Sequence, residues 1–231
     1  MSQFSVVGSQ FSGPTPAENR ELRTENLELM RRTSIITALV FIVFSAQGAE
    51  IDNAVTAMAG MEAAFTQRFT PKGFTNSQVE SGSVIFGTLP MMRWTYTKPE
   101  EKVFVFDGNR SWFYVAADKQ VTVATIDDRR RSELPFLLIG DAASRERLFV
   151  VSESRRGGNV VVSLQPRNAS ATIRNITLTI APNTHRIQQL QYSDREGNRT
   201  VFDFSGFRRR TISPELFRFT PPPGVEVVSA S

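Results

Sequence analysis

The sequence contains no cysteine and a single histidine, and these two shortages exclude whole classes of chemistry. Without cysteine the chain can form no disulfide, thiol nucleophile or iron–sulfur site. One histidine cannot supply the two or three imidazoles of a typical zinc or copper centre. His185 follows Pro-Asn-Thr, a pattern typical of a turn, and no Gly-x-Ser-x-Gly nucleophile motif accompanies it. We therefore expect a protein that is not an enzyme and that has no cofactor and no metal site.

The sequence also lacks an apolar run long enough to cross a membrane. Its longest run, the ten almost wholly apolar residues 35–44, follows Arg31-Arg32 and precedes small residues that end at Ala49. A spanning helix needs about 20 apolar residues, whereas a basic, then apolar, then small-residue order is typical of a secretory signal peptide. We expect residues 30–49 to be such a signal, cleaved near Gly48 or Ala49, and the exported protein to be soluble. Residues 1–29 are polar and lack periodicity, which predicts a disordered extension or a translation start placed too early.

The charge balance is only mildly basic, with Lys+Arg 27 against Asp+Glu 23. Two arginine triplets, Arg129–Arg131 and Arg208–Arg210, could form a basic patch, which in a cytosolic protein would suggest nucleic acid. An exported protein rarely meets nucleic acid, so we expect no nucleic-acid partner. Solvated loops are the simpler interpretation, and an acidic partner or an anionic lipid surface is the functional alternative.

The first part of residues 50–231 has the periodicity of a helix. Six apolar residues recur at spacings of three and four and form one face, and Pro71 and Gly73 follow the run. We expect one amphipathic helix that carries Ile51, Val55, Met58, Met61, Phe65 and Phe69.

After this helix the apolar period changes to two. Short β-rich runs separated by turn signals such as Asp107-Gly108 predict an antiparallel meander that curls into a sandwich or barrel. The predicted strands are 82–87, 92–97, 103–106, 111–115, 120–126, 149–154, 159–165, 173–181, 187–192 and 199–204. No internal repeat or change of composition divides residues 50–231, so we expect them to form one domain.

An apolar segment interrupts the strands and suggests a function. Residues 136–139 are apolar at every position and are followed by Gly140, which suits a movable lid over an apolar cavity. The chain also holds 18 phenylalanines, many of them on predicted strands. A curled sheet must fill its inner face with side chains, a helix or a ligand. These residues by themselves indicate an exported β-rich binder of apolar molecules.

Several motifs in order resemble the LolA-type periplasmic carriers of outer-membrane lipoproteins, over nearly all of residues 50–227. After the first helix come Pro90-Met91-Met92-Arg93-Trp94-Thr95-Tyr96, Pro99-Glu100, Asp107-Gly108 with Trp112-Phe113-Tyr114, Gln120-Val121-Thr122-Val123, Pro135-Phe136-Leu137-Leu138-Ile139, and Phe217-Arg218-Phe219-Thr220-Pro221-Pro222 with Gly224-Val225-Glu226-Val227.

The resemblance implies a mainly β fold, in which a single antiparallel sheet curls into an unclosed β-barrel with an N-terminal helix and a helical lid over an apolar cavity. It implies a periplasmic monomer that shields the acyl chains of triacylated lipoproteins. An inner-membrane lipoprotein-releasing ABC transporter would load it, and an outer-membrane lipoprotein receptor would accept the cargo. A receptor of this family would carry a lipid-anchored cysteine, and this chain has none.

The resemblance also implies which residues form the site. The cavity and lid would use Phe65, Phe69, Trp94, Phe104, Phe106, Trp112, Phe113, Phe136, Leu137, Leu138 and Ile139. Arg93 is a candidate for contact with the lid or a partner. Family members often carry an arginine before the first motif's proline that helps to hold the lid shut, and this chain has Leu89 there. Leu89 leaves a shuttle for another lipid or glycolipid as one alternative. A non-transport β-rich interaction module, with the sheet filled by its own side chains, is the other.

Overall fold

One sheet of twelve strands dominates the part of the chain that the computed structural model describes, residues 48–88, 90–131 and 134–230. These residues belong to one unit, Gln47–Ser231. Residues 1–29 and nearly all of the predicted signal peptide lie outside the described residues. The strands are β1 (Met61–Thr70), β2 (Gln78–Phe86), β3 (Met92–Lys98), β4 (Lys102–Phe106), β5 (Arg110–Val115), β6 (Gln120–Thr125), β7 (Phe149–Arg156), β8 (Asn159–Pro166), β9 (Ile173–Ile180), β10 (Ile187–Asp194), β11 (Arg199–Arg209) and β12 (Glu226–Ser229).

The sheet is not closed, as the family resemblance implies, and it consists of two antiparallel meanders joined by the pairing of β1 with β11. Its strand order is β12-β6-β5-β4-β3-β2-β1-β11-β10-β9-β8-β7, so that β12 and β7 form its two edges. All ten predicted strands are present, and their neighbours pair antiparallel. The short C-terminal strand β12 was not predicted, and it differs from the other strands because it pairs in parallel with its neighbour, β6.

Four short helices accompany the sheet in the described residues: α1 (Ala49–Met58), α2 (Asp128–Arg131), α3 (Pro135–Gly140) and α4 (Ala142–Leu148). Helix α1 and helix α3 share an apolar core with the inner face of the sheet. A single 3-10 turn, Pro214–Phe217, packs on the outer face, where Phe217 joins Ile85 and Val105. The described sheet therefore has a covered inner face and a partly covered outer face.

The predicted first helix is wrong in its second half. Helix α1 ends at Met58, Gly60 turns the chain at a φ of +73°, and strand β1 begins at Met61. Phe65 and Phe69 therefore lie on a strand. A spacing of four residues fits about one helical turn, but it is also an even number, and even spacing places strand residues on one face. The apolar pattern alone could not separate the two structures.

A close approach between strands β2 and β3 requires glycine at position 82. The pairing register shifts between Ser81 and Gly82, and a Cβ atom at Gly82 would lie 1.9 Å from the carbonyl oxygen of Thr95. The glycine allows β3 to pass close to β2 beside the cavity described below.

Candidate functional site

A cavity of about 220 Å³ lies on the inner face of the sheet. Strands β1, β3, β4, β5, β10 and β11 form its floor and walls, and Leu134 with the first turn of α3 covers it. Most of its lining is aromatic or aliphatic. The lining residues are Gln67, Met92, Trp94, Tyr96, Phe104, Phe113, Leu134, Pro135, Phe136, Leu137, Tyr192 and Phe202.

Trp94 lies at the centre of an aromatic cluster in this cavity. Its ring centroid is 4.9 Å from that of Phe65 and 5.2 Å from that of Phe202, and its side chain is buried. Phe65 also meets Tyr96 edge-on at 4.9 Å. Tilted and edge-to-face pairs at these separations each contribute about 0.5–1.5 kcal/mol beyond the area they bury. The cluster therefore forms an aromatic wall of the cavity.

Helix α3 closes the cavity as a lid. Pro135 stands in its first turn, where a missing N–H costs nothing, and Phe136 follows it. The Phe136 ring lies 4.6 Å from Trp94 and 5.2 Å from Phe202. Leu137, Leu138 and Ile139 are buried in the core that also holds α1. The sequence prediction of a helical lid at these residues agrees with the position of α3.

Asp141 separates the lid from helix α4. Its side chain caps α4, because Oδ1 accepts a hydrogen bond from the Ser144 backbone N–H at 3.1 Å and Oδ2 accepts one from the Ser144 hydroxyl at 2.8 Å. These hydrogen bonds lower the pKa of Asp141. The cap fixes the direction in which α4 leaves the lid.

Arg145 of α4 is a buried arginine that contacts the lid, and sequence analysis missed it. Only 4% of the residue is exposed. Its guanidinium donates hydrogen bonds to the carbonyl oxygen of Ile139 at the end of α3 and to the carboxylate of Asp52 on α1. Leu89, where the resemblance led us to look for a lid-holding arginine, lies outside the described residues. Arg145 thus connects the lid to the first helix from a different position in the chain.

One end of the cavity is polar. The Tyr96 hydroxyl donates a hydrogen bond to Oε1 of Gln67 at 2.8 Å. Next to them the Lys102 ammonium pairs with Glu80 at 2.6 Å. Burial, followed by the nearby Glu80 carboxylate, raises the pKa of Tyr96 far above its ordinary value of 10.0. Its hydroxyl therefore remains a proton donor at any physiological pH.

The structure brings several of the predicted site residues to the cavity. Trp94, Phe104, Phe113, Phe136 and Leu137 line it. Phe113 is 40% exposed, so it stands at the opening.

Other predicted residues lie on the same inner face without lining the cavity. Phe65, Phe106, Leu138 and Ile139 are buried in the inner core. Phe69 is half-buried and lies four residues further along β1 than Phe65, hence on the same face.

Trp112 and Arg93 are on the opposite face of the sheet, so the predictions that Trp112 lines the cavity and that Arg93 contacts the lid are wrong. Contact between Arg93 and a partner protein stays a prediction. Trp112 packs in the outer cluster with Val105, and Arg93 donates hydrogen bonds at 3.4 Å to the carbonyl oxygens of Leu216 and Arg218. Neighbouring residues on a strand point to opposite faces. With Phe113 and Trp94 facing inward, Trp112 and Arg93 must face outward. Arg93 anchors the C-terminal segment and does not contact the lid.

His185 has a structural contact. It lies in the turn between β9 and β10 with a φ of +55°, and its Nδ1 is 2.8 Å from Oε1 of Glu50 on α1. Within the described residues, no three His, Asp or Glu side chains are grouped so that they could hold a metal ion. No helix in the described part of the chain is long and apolar enough to span a membrane.

A half-open sheet with a lidded, aromatic cavity defines a class of protein that encloses apolar ligands. Comparison with known proteins identifies the family. Residues 56–220 match the family model for the outer membrane lipoprotein carrier protein LolA, and the chain belongs to this family.

Curated relatives carry the same description. An outer-membrane lipoprotein carrier protein of Nitrosospira multiformis is 33% identical over 171 residues, which cover 73% of this chain and 82% of that protein. One from Xanthomonas axonopodis pv. citri is 28% identical over 203 residues, covering 85% and 96%. A crystal structure of an uncharacterized conserved protein from Thermus thermophilus shares the fold, with a TM-score of 0.50 at 15% identity, covering 79% of this chain and 98% of that one.

Proposed function

We propose that this protein is a periplasmic carrier that encloses the acyl chains of lipoproteins and transports them from the inner to the outer membrane. Residues 30–49 direct its export. An inner-membrane transporter that releases lipoproteins loads it, and an outer-membrane receptor takes the cargo. Membership of the LolA family and the relatives named as lipoprotein carriers support this proposal.

The observation that carries the proposal is the position of Phe136 above Trp94. A lid residue that packs against the cavity wall covers surface that an acyl chain could cover instead. Each methylene removed from water contributes about 0.8 kcal/mol, so a bound acyl chain replaces the contacts that the lid gives up. The same side chains thus stabilise the closed form and receive the ligand.

The size of the cavity requires the lid to move during loading. Its volume is about 220 Å³. Sites for small ligands usually measure about 300–1,000 Å³. Displacement of Phe136 and Leu137 would join the space they fill to the existing cavity. Cargo would therefore bind an open form, and the free energy of opening would reduce its apparent affinity.

Delivery in this scheme depends on relative affinity. A carrier without its own energy source passes cargo only to an acceptor that binds it more tightly. The free energy of lid closure contributes to the difference in affinity between carrier and acceptor, because the lid regains the contacts of Phe136 when it closes after release. Contacts that hold the lid, such as those of Arg145, thereby favour release of the cargo.

Site-specific photo-crosslinking tests the proposal. A photoreactive amino acid at position 136 should capture acylated lipoproteins when cells are irradiated. The same amino acid at Phe219, which packs on the outer face against Tyr114, is the matched control and should capture none. Free lipids captured at position 136 would favour a shuttle for another lipid. No acyl-bearing product at position 136 would contradict a carrier role and favour an interaction module.

A further inference from the structure

The cavity has an apolar wall and a polar end, which lie at different positions along the length of the strands. On β3, Trp94 belongs to the apolar wall and Tyr96 to the polar end, two residues or about 7 Å further on. Gln67 and Tyr192 line the cavity at the same end. We call Gln67, Tyr96 and Tyr192 the polar belt.

The belt lies at the end of the sheet that carries the β1–β2, β3–β4 and β10–β11 turns. Each belt residue stands within the last four positions of its strand before one of these turns. The cavity is thus apolar beneath the lid and offers hydrogen-bonding groups towards the turns. An acyl chain has the same asymmetry, since it begins at a carbonyl group and continues as hydrocarbon.

The belt offers hydrogen bonds suited to a neutral carbonyl group. Tyr96 keeps its proton, because burial raises its pKa, and burial raises the pKa of Tyr192 as well. With Oε1 of Gln67 accepting from Tyr96, the NH₂ group of that amide is the end that donates. The nearby cation, Lys102, is already paired with Glu80 at 2.6 Å. This neutral set of donors favours an ester or amide carbonyl over a phosphate.

We propose that the polar belt binds the carbonyl oxygens of the ester and amide groups through which acyl chains are attached to the cargo. This inference rests on the proposed function. A carbonyl that enters an apolar cavity without a hydrogen bond pays a desolvation cost, whereas one that reaches the belt does not. The belt therefore orients the chains, with their carbonyl ends at the Gln67 amide, which Tyr96 holds in place, and at the Tyr192 hydroxyl, and with their hydrocarbon beneath Phe136.

Two matched ligands test the belt in competition with an apolar fluorescent dye. One is a tripalmitoyl glyceryl-cysteine lipopeptide, and the other has both glycerol esters replaced by ethers, which removes two carbonyls at equal chain length. A hydrogen bond between neutral groups predicts that the purified protein prefers the ester about 3- to 10-fold. Tyr96→Phe, which removes the hydrogen bond that orients the Gln67 amide, and, separately, Gln67→Leu, which removes the amide, should each reduce this preference towards parity, with the loss of affinity falling mainly on the ester.

Tyr114→Phe is the control, because Tyr114 packs against Phe219 on the outer face, and it should retain the preference. Tyr192→Phe is the second belt variant if Tyr96→Phe does not fold. Equal affinity of the native protein for the ester and the ether would contradict carbonyl binding by the belt, and it would not affect the proposed carrier function. Equal loss of both ligands in Tyr96→Phe would also overturn it, since that indicates packing alone. If neither ligand binds the native protein, the carrier function itself fails.

Discussion

Replacing Asp52 with asparagine should weaken the closure of the lid. Asp52 of α1 accepts a hydrogen bond from the guanidinium of Arg145, which also donates to the carbonyl oxygen of Ile139 at the end of α3. The substitution keeps the size of the side chain and removes its charge. Arg145 would keep its bond to the lid but lose the opposite charge that ties α4 to α1.

The expected magnitude follows from the exposure of the two side chains. The Arg145 side chain is 5% exposed, whereas that of Asp52 is 60% exposed. A fully buried pair that loses one member costs about 3–5 kcal/mol, and a pair on the surface contributes about 0.2–1 kcal/mol. This pair lies between those limits, and water already screens Asp52. We expect lid closure to weaken by about 1–2 kcal/mol, which is about 5- to 30-fold in the opening equilibrium.

A cysteine placed on the lid can report this change, because the native chain has no cysteine of its own. Leu138 is fully buried on α3, so a thiol reagent should reach Leu138→Cys only when the lid opens. In this background, Asp52→Asn should raise the labelling rate about 5- to 30-fold. Glu50→Gln is the matched control, since Glu50 carries the same charge in the same helical turn but pairs with His185.

Two results would refute the reasoning. A labelling rate that stays within about twofold of the Leu138→Cys parent would show that the Asp52–Arg145 pair does not hold the lid. An equal increase in Glu50→Gln would show that α1 has lost stability as a whole, because both acidic residues lie in its first turn. Only an effect specific to Asp52 supports the role given to Arg145.

Three further predictions concern the lid, the sheet and pH. Phe136→Ala should lower the melting temperature, since it removes about 1–3 kcal/mol of half-buried contacts. The same variant should bind a fluorescent acyl probe faster, and slower binding would contradict the role of α3 as a lid. Gly82→Ala should destabilise the fold to urea by about 1–3 kcal/mol, because its Cβ would meet the Thr95 carbonyl oxygen, whereas an unchanged midpoint would contradict this close approach. The pKa of Glu62 lies below its ordinary 4.5, chiefly because of the hydrogen bond from the Arg208 side chain. Ionised Glu62 therefore stabilises the fold above pH 4.5, and this stabilisation is lost as the pH falls through the lowered pKa. Glu62→Gln should therefore show a smaller fall in the free energy of unfolding on acidification than the native protein does.

Ten of the twelve strands and the lid could be predicted because their signals are local. Ile176, Leu178 and Ile180 alternate with threonines along β9, and turn residues divide the runs from one another. The apolar run from Phe136 to Ile139 likewise stands out within a few residues. Both patterns can be recognised without knowing what lies opposite them in the fold.

The facing of individual strand residues could not be predicted. Trp112 and Phe113 are adjacent and both aromatic, so hydrophobicity gives no reason to choose which one faces the cavity. The neighbouring strand decides, because Phe113 lies opposite Phe104 and Trp112 lies opposite Val105. The turn residue Gly60 was the one local signal that could have separated α1 from β1.

Contacts between distant parts of the chain also could not be predicted from the sequence. Arg145 is a polar residue in a short helix, and it pairs with Asp52, which lies 93 positions away. Strand β12 has four residues after a proline-rich segment, and it forms by pairing with β6, about 100 positions earlier. Long-range pairing of this kind leaves no periodic trace in the segment itself.

The most direct test of the central claim is to purify the native protein from the periplasm and identify what it holds by intact-complex mass spectrometry. An acyl carrier for lipoproteins predicts bound polypeptides that bear lipid chains, and predicts that they are lost when Phe136 and Trp94 are both replaced by charged residues. A protein that carries only free lipid, or one whose bound species do not change when these two cavity residues are replaced, would contradict the account.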